Sequence, residues 1–412
     1  MKKAVSIFLT LAMTAGLLAG CGSTSSATSE AGSSDTTAST ESADTEASGT
    51  EAVETEAAAG ESFYVGGIGP VTGAAAIYGT AAKNGAQIAV DEINAAGGIN
   101  GYQITYKFED DEHDAEKSVN AYNALKDWGM QMLYGTVTST PCLAVAQESA
   151  ADGIYQITPS ASATDVIKNG NVFQVCFSDP NQGTASAKYI GENGLATKVA
   201  VIYDSSDVYS SGIYTTFQAE AANQGFEIVS AEAFTADSNT DFSVQLQAAK
   251  NAGAELIFLP IYYTQAAIIL RQASDMAYAP AFFGCDGLDG ILGVENFDVT
   301  LAEGLMLLTP FAADATDEAT VNFVTTYETA YGEIPNQFAA DGYDAIYIIK
   351  AAAEKAGITP DMSADEIGTA MIAAMAEISV DGLTGTGMTW DAGAVNKAPK
   401  AVVIESGAYK AM

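Results

Sequence analysis

The chain has 412 residues, 48% of them hydrophobic, which is length and apolar surface enough for two or three domains. Against 52 Asp and Glu stand only 16 Lys and Arg, a formal charge of −36. That balance excludes nucleic-acid binding through phosphate neutralisation, and adhesion to an anionic membrane by charge.

The chain begins outside any fold. Lys2 and Lys3 precede an apolar run from Ala4 to Leu18 that ends Leu18-Ala19-Gly20-Cys21. A basic start, a short apolar stretch and small residues at the cut predict an export signal over residues 1–20, too short for a comfortable membrane span. Leu-Ala-Gly-Cys resembles the lipobox of bacterial lipoproteins, which implies lipidation of Cys21 and a stable membrane anchor. From Gly22 to Glu61 the composition falls to small, hydroxyl and acidic residues, with no lysine, arginine or aromatic. Such a stretch cannot bury enough apolar area to offset its ordering entropy. Residues 21–61 are therefore expected to be a lipidated cysteine and a disordered, self-repelling acidic tether.

From Ser62 onward, β-branched and aromatic runs alternate with helical patterns. SFYVGGIG reads as a strand, and Tyr78 to Ala96 as a helix with Ala82, Ala86, Ala89 and Ile93 on one face, stopped by Gly97-Gly98. YQITYKFED is a strand and Ala115–Trp128 a helix. VFQVCF, KVAVIYD, FEIVSAEAF and AELIFLP are further strands, separated by helices at Asn181–Asn193, Tyr209–Asn223 and Phe242–Asn251. A helix at Thr264–Met276 precedes strands at PAFFG and EGLMLLT. Helices follow at Glu318–Tyr331, Phe338–Ala356 and Ala364–Ala376, then strands around MTW and KAVVIES. This alternation predicts α/β architecture with parallel, doubly wound sheets, and too many strands for one sheet. Proline and glycine clusters place crossings at Phe177–Asp179, near Thr309–Pro310 and near Asp391–Lys397. The expected lobes are 62–179 plus 310–391, and 180–309 plus 392–412, joined by three strands with a ligand cleft between.

One stretch organises the rest. Between Met130 and Val166, two short apolar runs (Met130–Tyr134 and Gly153–Ile157) each reach a cluster of hydroxyl residues and then a helix-like segment. In a parallel sheet both helix starts open on the same edge, where free N–H groups suit a small anion. Ser139 and Ser162 stand there, either holding a carboxylate or capping their own helices.

From Phe63 to about Ser406 the chain resembles the leucine/isoleucine/valine-binding proteins of ABC importers, which have the type I periplasmic binding fold. The stretch GPVTGAAAIYGTAAKNGAQIAVDEINAAGGING carries the likeness most specifically. FEDDEHDAEKSVNAYNAL, YGTVTST, ITPSASATD, Tyr209-Ser210-Ser211-Gly212, LPIYYTQAAIILRQA and FFGCDG follow in family order. The resemblance implies that Ser139, Ala161 and Ser162 hold a ligand carboxylate, Ala161 through its backbone. It implies that Asp286 pairs with the ligand ammonium, although the family often has glutamate there. Tyr78, Tyr209 and Tyr262 would close over the ligand. It further implies an amino-acid ligand, permease and ATPase partners, no cofactor or metal, and a monomer at the outer face of the bacterial cytoplasmic membrane.

Other readings are weaker. A Ser-His-Asp enzyme would need His113, the one histidine, which sits in the acidic run Asp110-Asp111-Glu112-His113-Asp114. That run fits no EF-hand spacing and reads as a solvated loop in which Asp114 caps the next helix. Gly67 to Gly73 misses the dinucleotide fingerprint because Thr72 replaces the third glycine. The lone arginine, Arg271, lies well inside a predicted helix, which disfavours ligands with a second acid group. Cys142, Cys176 and Cys285 have no C-x-x-C spacing; one pair is possible, and buried free thiols are expected. A binding protein for short amides or urea, or a sensory receptor domain, on the same fold remains the alternative.

Overall fold

The computed structural model describes residues 62–412; the expected export signal, Cys21 and the tether lie outside the described residues. β1 (Ser62–Gly69), β2 (Gln103–Asp110), β3 (Met132–Gly135), β4 (Gln156–Thr158) and β5 (Val172–Gln174) form one sheet in the order β2-β1-β3-β4-β5. Every pairing in it is parallel. The helices α1 (Ala76–Ala95), α2 (Ala115–Trp128) and α3 (Ser139–Ala151) join its strands. β3, β4 and β5 are buried at every residue, as strands covered on both faces must be.

The chain then enters a second sheet. α4 (Asp179–Glu192), β6 (Lys198–Asp204), α5 (Val208–Ala221), β7 (Glu227–Phe234), α6 (Ser243–Ala252), β8 (Leu256–Leu259), α7 (Tyr263–Asp275), β9 (Ala281–Gly284) and β10 (Met306–Thr309) follow in turn. α8 (Glu318–Tyr331), α9 (Gln337–Ala356) and α10 (Ala364–Met375) return to the first lobe, where a ribbon of β11 (Trp390–Asp391) and β12 (Ala394–Val395) lies beside β5. Trp390 donates its indole N–H to the Gln174 carbonyl there. β13 (Lys400–Glu405) and β14 (Ala408–Ala411) complete the second sheet in the order β14-β13-β10-β9-β8-β6-β7, with β13 antiparallel to both β10 and β14. The result is α/β with two lobes of parallel sheet. The chain passes between them three times, after Gln174, after Thr309 and between Val395 and Lys400.

α1 and α9 bring the first lobe's walls to the cleft. A Cβ on Gly85 would lie 1.9 Å from the Ala339 carbonyl oxygen, and one on Gly342 2.3 Å from that of Ala82. The two helices therefore meet backbone to backbone. That contact fixes Tyr78, in the first turn of α1, against Phe338, in the first turn of α9, with ring centroids 4.3 Å apart. The third crossing is held by Lys397, whose Nζ lies 3.1 Å from Asp341 with both side chains almost fully buried.

Several local expectations change. Only one of the two hydroxyl clusters opens a long helix: α3 follows the first, but the second leads to a single 3-10 turn, Thr164–Ile167. The Thr158 hydroxyl accepts the Ala161 N–H, which holds the backbone in a turn, and Lys168-Asn169-Gly170 ends the helical run at once. Neither serine is an N-cap. Thr138 occupies that position in α3 and makes no side-chain cap, while Ser139 is the first helical residue. The VFQVCF strand shortens to three residues, and β12 and β14 have no counterpart among the predicted strands.

Candidate functional site

The cleft cavity is lined from the first lobe by Tyr78, Val137, Thr138, Ser139, Ser160 and Phe338, and from the second by Tyr209, Tyr262, Asp286 and Gly287. Its volume is about 10 Å³, roughly the space of one water. The lobes meet across it: the Tyr78 hydroxyl donates to the Gly287 carbonyl and accepts the Tyr263 N–H at 3.1 Å. Beside it, the Thr140 hydroxyl donates to Asp207 Oδ1 at 3.2 Å.

Asp286 begins the 3-10 turn after β9 and is 3% exposed. Tyr209 donates to its Oδ1 at 2.7 Å and the Gln182 amide to its Oδ2 at 3.0 Å. Burial nevertheless dominates and raises its pKa from 3.8 to about 7; the nearby Asp341 adds to the rise and the hydrogen bonds oppose it. No Lys or Arg lines the cavity. Each carboxylate oxygen has one donor and room for more, so the group is set to receive a cation.

On the opposite wall, Ser139 accepts the Ala163 N–H at 3.2 Å, which leaves its own proton uncommitted. The uncapped start of α3 lies beside it, with the positive end of the helix dipole. Ser162, by contrast, gives its proton to Asp179 at 2.6 Å, and the Ala161 N–H is taken by Thr158. Both residues are fully buried behind the turn, and it is Ser160 that reaches the cavity. The structure thus brings Ser139, Asp286, Tyr78, Tyr209 and Tyr262 together and sets Ala161 and Ser162 behind them.

Tyr209 and Tyr262 stack at 4.9 Å, and Tyr262 also meets Tyr78 edge-on at 5.6 Å. His113 is half-buried rather than solvated. Its Nδ1 lies 2.8 Å from the Thr138 hydroxyl and its ring stands edge-on to Tyr262 at 5.5 Å. Burial lowers its pKa, against the pull of Asp207 across the cleft. Ser160, Phe338, Gln182 and the placement of His113 escape the sequence reading. For Phe338 a signal existed: an aromatic just inside a helix start, behind Asn336, which caps α9 by accepting the Ala339 N–H. Asp114 caps α2 as expected, the three cysteines are buried and free, and Arg271 is exposed.

Two α/β lobes, three crossings and a cleft that sets a buried carboxylate against a serine and a helix start define a binding protein for a small solute. Residues 62–408 match the periplasmic binding protein family model, and the chain belongs to that family. It is similar to the Leu/Ile/Val-binding protein BraC3 of Rhizobium johnstonii, 32% identical over 310 residues, covering 74% of this chain and 82% of that one. Leu/Ile/Val-binding protein homolog 3 of Brucella melitensis is 31% identical over 311 residues, covering 74% and 83%. Among solved structures, the branched-chain amino acid transporter substrate binding protein LivJ of Streptococcus pneumoniae, in complex with isoleucine, superposes with a TM-score of 0.77. It is 28% identical, over 85% of this chain and 98% of that one.

Proposed function

We propose that this protein is the extracytoplasmic solute-binding component of an ABC importer, and that it captures a branched-chain or other aliphatic amino acid by lobe closure. One observation carries the reading: Asp286 and the uncommitted Ser139 hydroxyl line a single cavity from opposite lobes, with aromatic rings between. A zwitterion with an apolar side chain needs that arrangement, donors at one end and a carboxylate at the other. The names of the relatives agree with it. Ser139 and the start of α3 take the carboxylate beside Ser160, whose hydroxyl is given to the Val137 carbonyl, with Ala161 and Ser162 shaping the turn behind them. Asp286 takes the ammonium, and Tyr78, Tyr209 and Tyr262 cover the side chain. Because the cavity is far smaller than such a ligand, the lobes part to admit it and close around it.

Residues 1–20 direct export and Cys21 carries the lipid, which places the protein at the outer face of the cytoplasmic membrane beside its permease and ATPase subunits. The first lobe takes 62–174 plus 310–395 and the second 179–309 plus 400–412, so the third crossing falls a few residues beyond the boundary at 391 expected from the sequence, and the protein acts as a monomer. Thermal melting against a solute panel tests the reading, because a ligand that binds only the folded state raises its stability. Leucine, isoleucine and valine should raise the melting temperature, and urea and acetamide should not. A rise with the amides and none with the amino acids would reverse the assignment.

A further inference from the structure

A second concavity, of about 650 Å³, shares no lining residue with the cleft cavity. Its first-lobe wall is the start of α1, α8 and the loop from Glu333 to Asn336; its second-lobe wall is the 3-10 turn Ile291–Gly293 and the β13–β14 hairpin. Ile77, Leu292 and Val324 supply apolar surface, and Ile334 stands 65% exposed at the edge. Apolar exposure continues around it. Val321 precedes Val324 by one helical turn on α8 and is exposed, as is Tyr331 at the end of that helix. Val299, also exposed, lies against Gly407 of the hairpin. Exposed apolar side chains gathered around a groove are a feature of interaction surfaces.

Its rim selects the occupant. Asp314, Glu328 and Glu333 are exposed around the groove, with Lys410 the one basic residue lining it. The chain's own segment 22–61 is acidic and lacks lysine and arginine, so this rim repels it. A second copy, at a formal charge of −36, would set acid against acid. We infer that the groove docks a segment of a partner protein in which a lysine or arginine stands beside apolar side chains. The apolar residues fill the floor and the cation meets the three carboxylates. Both lobes build the walls, so the groove has this shape only when the lobes are closed. Ile77 lines it and the adjacent Tyr78 lines the cleft, so one helical turn bounds both sites. The inference is independent of which solute the cleft takes.

Fluorescence anisotropy with purified full-length protein tests it, using labelled synthetic peptides of alternating leucine and arginine, or of serine and arginine with the same charge. The leucine–arginine peptide should bind at least about tenfold more tightly than the serine–arginine one. Ile334→Asp and Glu328→Lys should each weaken it by about tenfold or more. Val244→Asp, at a 74% exposed position on α6 outside the groove, should leave binding unchanged, and melting curves should show all variants folded. Equal binding of the two peptides, or equal effects of Ile334→Asp and Val244→Asp, would show diffuse charge attraction and overturn the proposal. Dimerisation in sedimentation velocity that Ile334→Asp abolishes would overturn it in favour of a contact between copies.

Discussion

In the closed cleft Asp286 stands at a narrow balance between neutral and charged, and a ligand ammonium beside it would tip that balance. With its pKa raised to about 7 by burial, it carries a proton over much of the acidic range. An ammonium beside it favours the carboxylate, so binding near about pH 6 should release a proton. Calorimetry in buffers of different ionisation enthalpy reads that release directly, and Asp286→Asn should abolish it. Burial also raises Asp289 and Asp111 to about 6. These groups bind protons more tightly in the folded than in the unfolded chain, so their contribution to stability is whole below about pH 4 and is lost as the pH rises through about 7. The melting temperature of the ligand-free protein should therefore carry a downward contribution across that window, which Asp286→Asn should lessen, with Asp289 and Asp111 supplying the remainder. The two serines should separate. Ser139→Ala should weaken amino-acid binding by roughly 1–3 kcal/mol and, because it leaves the buried Ala163 N–H without its acceptor, should also lower the melting temperature. Ser162→Ala leaves buried Asp179 without its donor and should lower stability by a similar amount, about 1–3 kcal/mol.

The close crossing of α1 and α9 positions the aromatic wall of the cleft. Gly85→Ala or Gly342→Ala would drive a methyl into facing backbone, and overpacking of this kind costs about 1–3 kcal/mol. Chemical denaturation should show that loss, and the same variants should weaken the solute because Tyr78 and Phe338 ride on these helices. Alternating β-branched runs and helical periods made most elements legible in the sequence; α2 and α8 fall on the residues predicted for them. The failures have local causes. The segment after Ser162 carries helix-compatible residues, but the Thr158 hydroxyl and the Lys168-Asn169-Gly170 break outweigh them. β12 is two residues long, too short for a pattern to register, and β14 (Ala-Tyr-Lys-Ala) lacks the β-branched or continuous apolar run that marked the other short strands. Ser139 and Asp286, both named at the sequence level, do line one cavity from opposite lobes. What was not legible was which hydroxyl in Ser160-Ala161-Ser162 faces the cleft, because hydrogen bonds from residues distant in sequence decide it. Asp179 takes Ser162's proton from 17 positions away.

On the proposed reading the molecule divides its labour among an anchor, a tether and a pair of closing lobes. If Cys21 carries the lipid, Cys21→Ala should lose fatty-acid labelling and leave the membrane fraction, and persistent labelling would place the anchor elsewhere. Deleting residues 22–61 should leave the melting temperature and solute affinity of the soluble form unchanged; a drop of several degrees would mean that the segment packs on the lobes. If the lobes close over an amino acid, Asp286 and the bound ammonium leave water together, and their pairing should then dominate recognition. Titration calorimetry of wild type and Asp286→Ala with leucine, beside a leucine analogue lacking the amine, measures that pairing. Removing one partner of a buried pair costs about 3–5 kcal/mol, a loss of roughly a hundred- to several-thousand-fold in affinity. The same loss is expected when wild type meets the amine-free analogue. Leucine bound by Asp286→Ala as tightly as by wild type, or an analogue bound as tightly as leucine, would contradict amino-acid capture by this site.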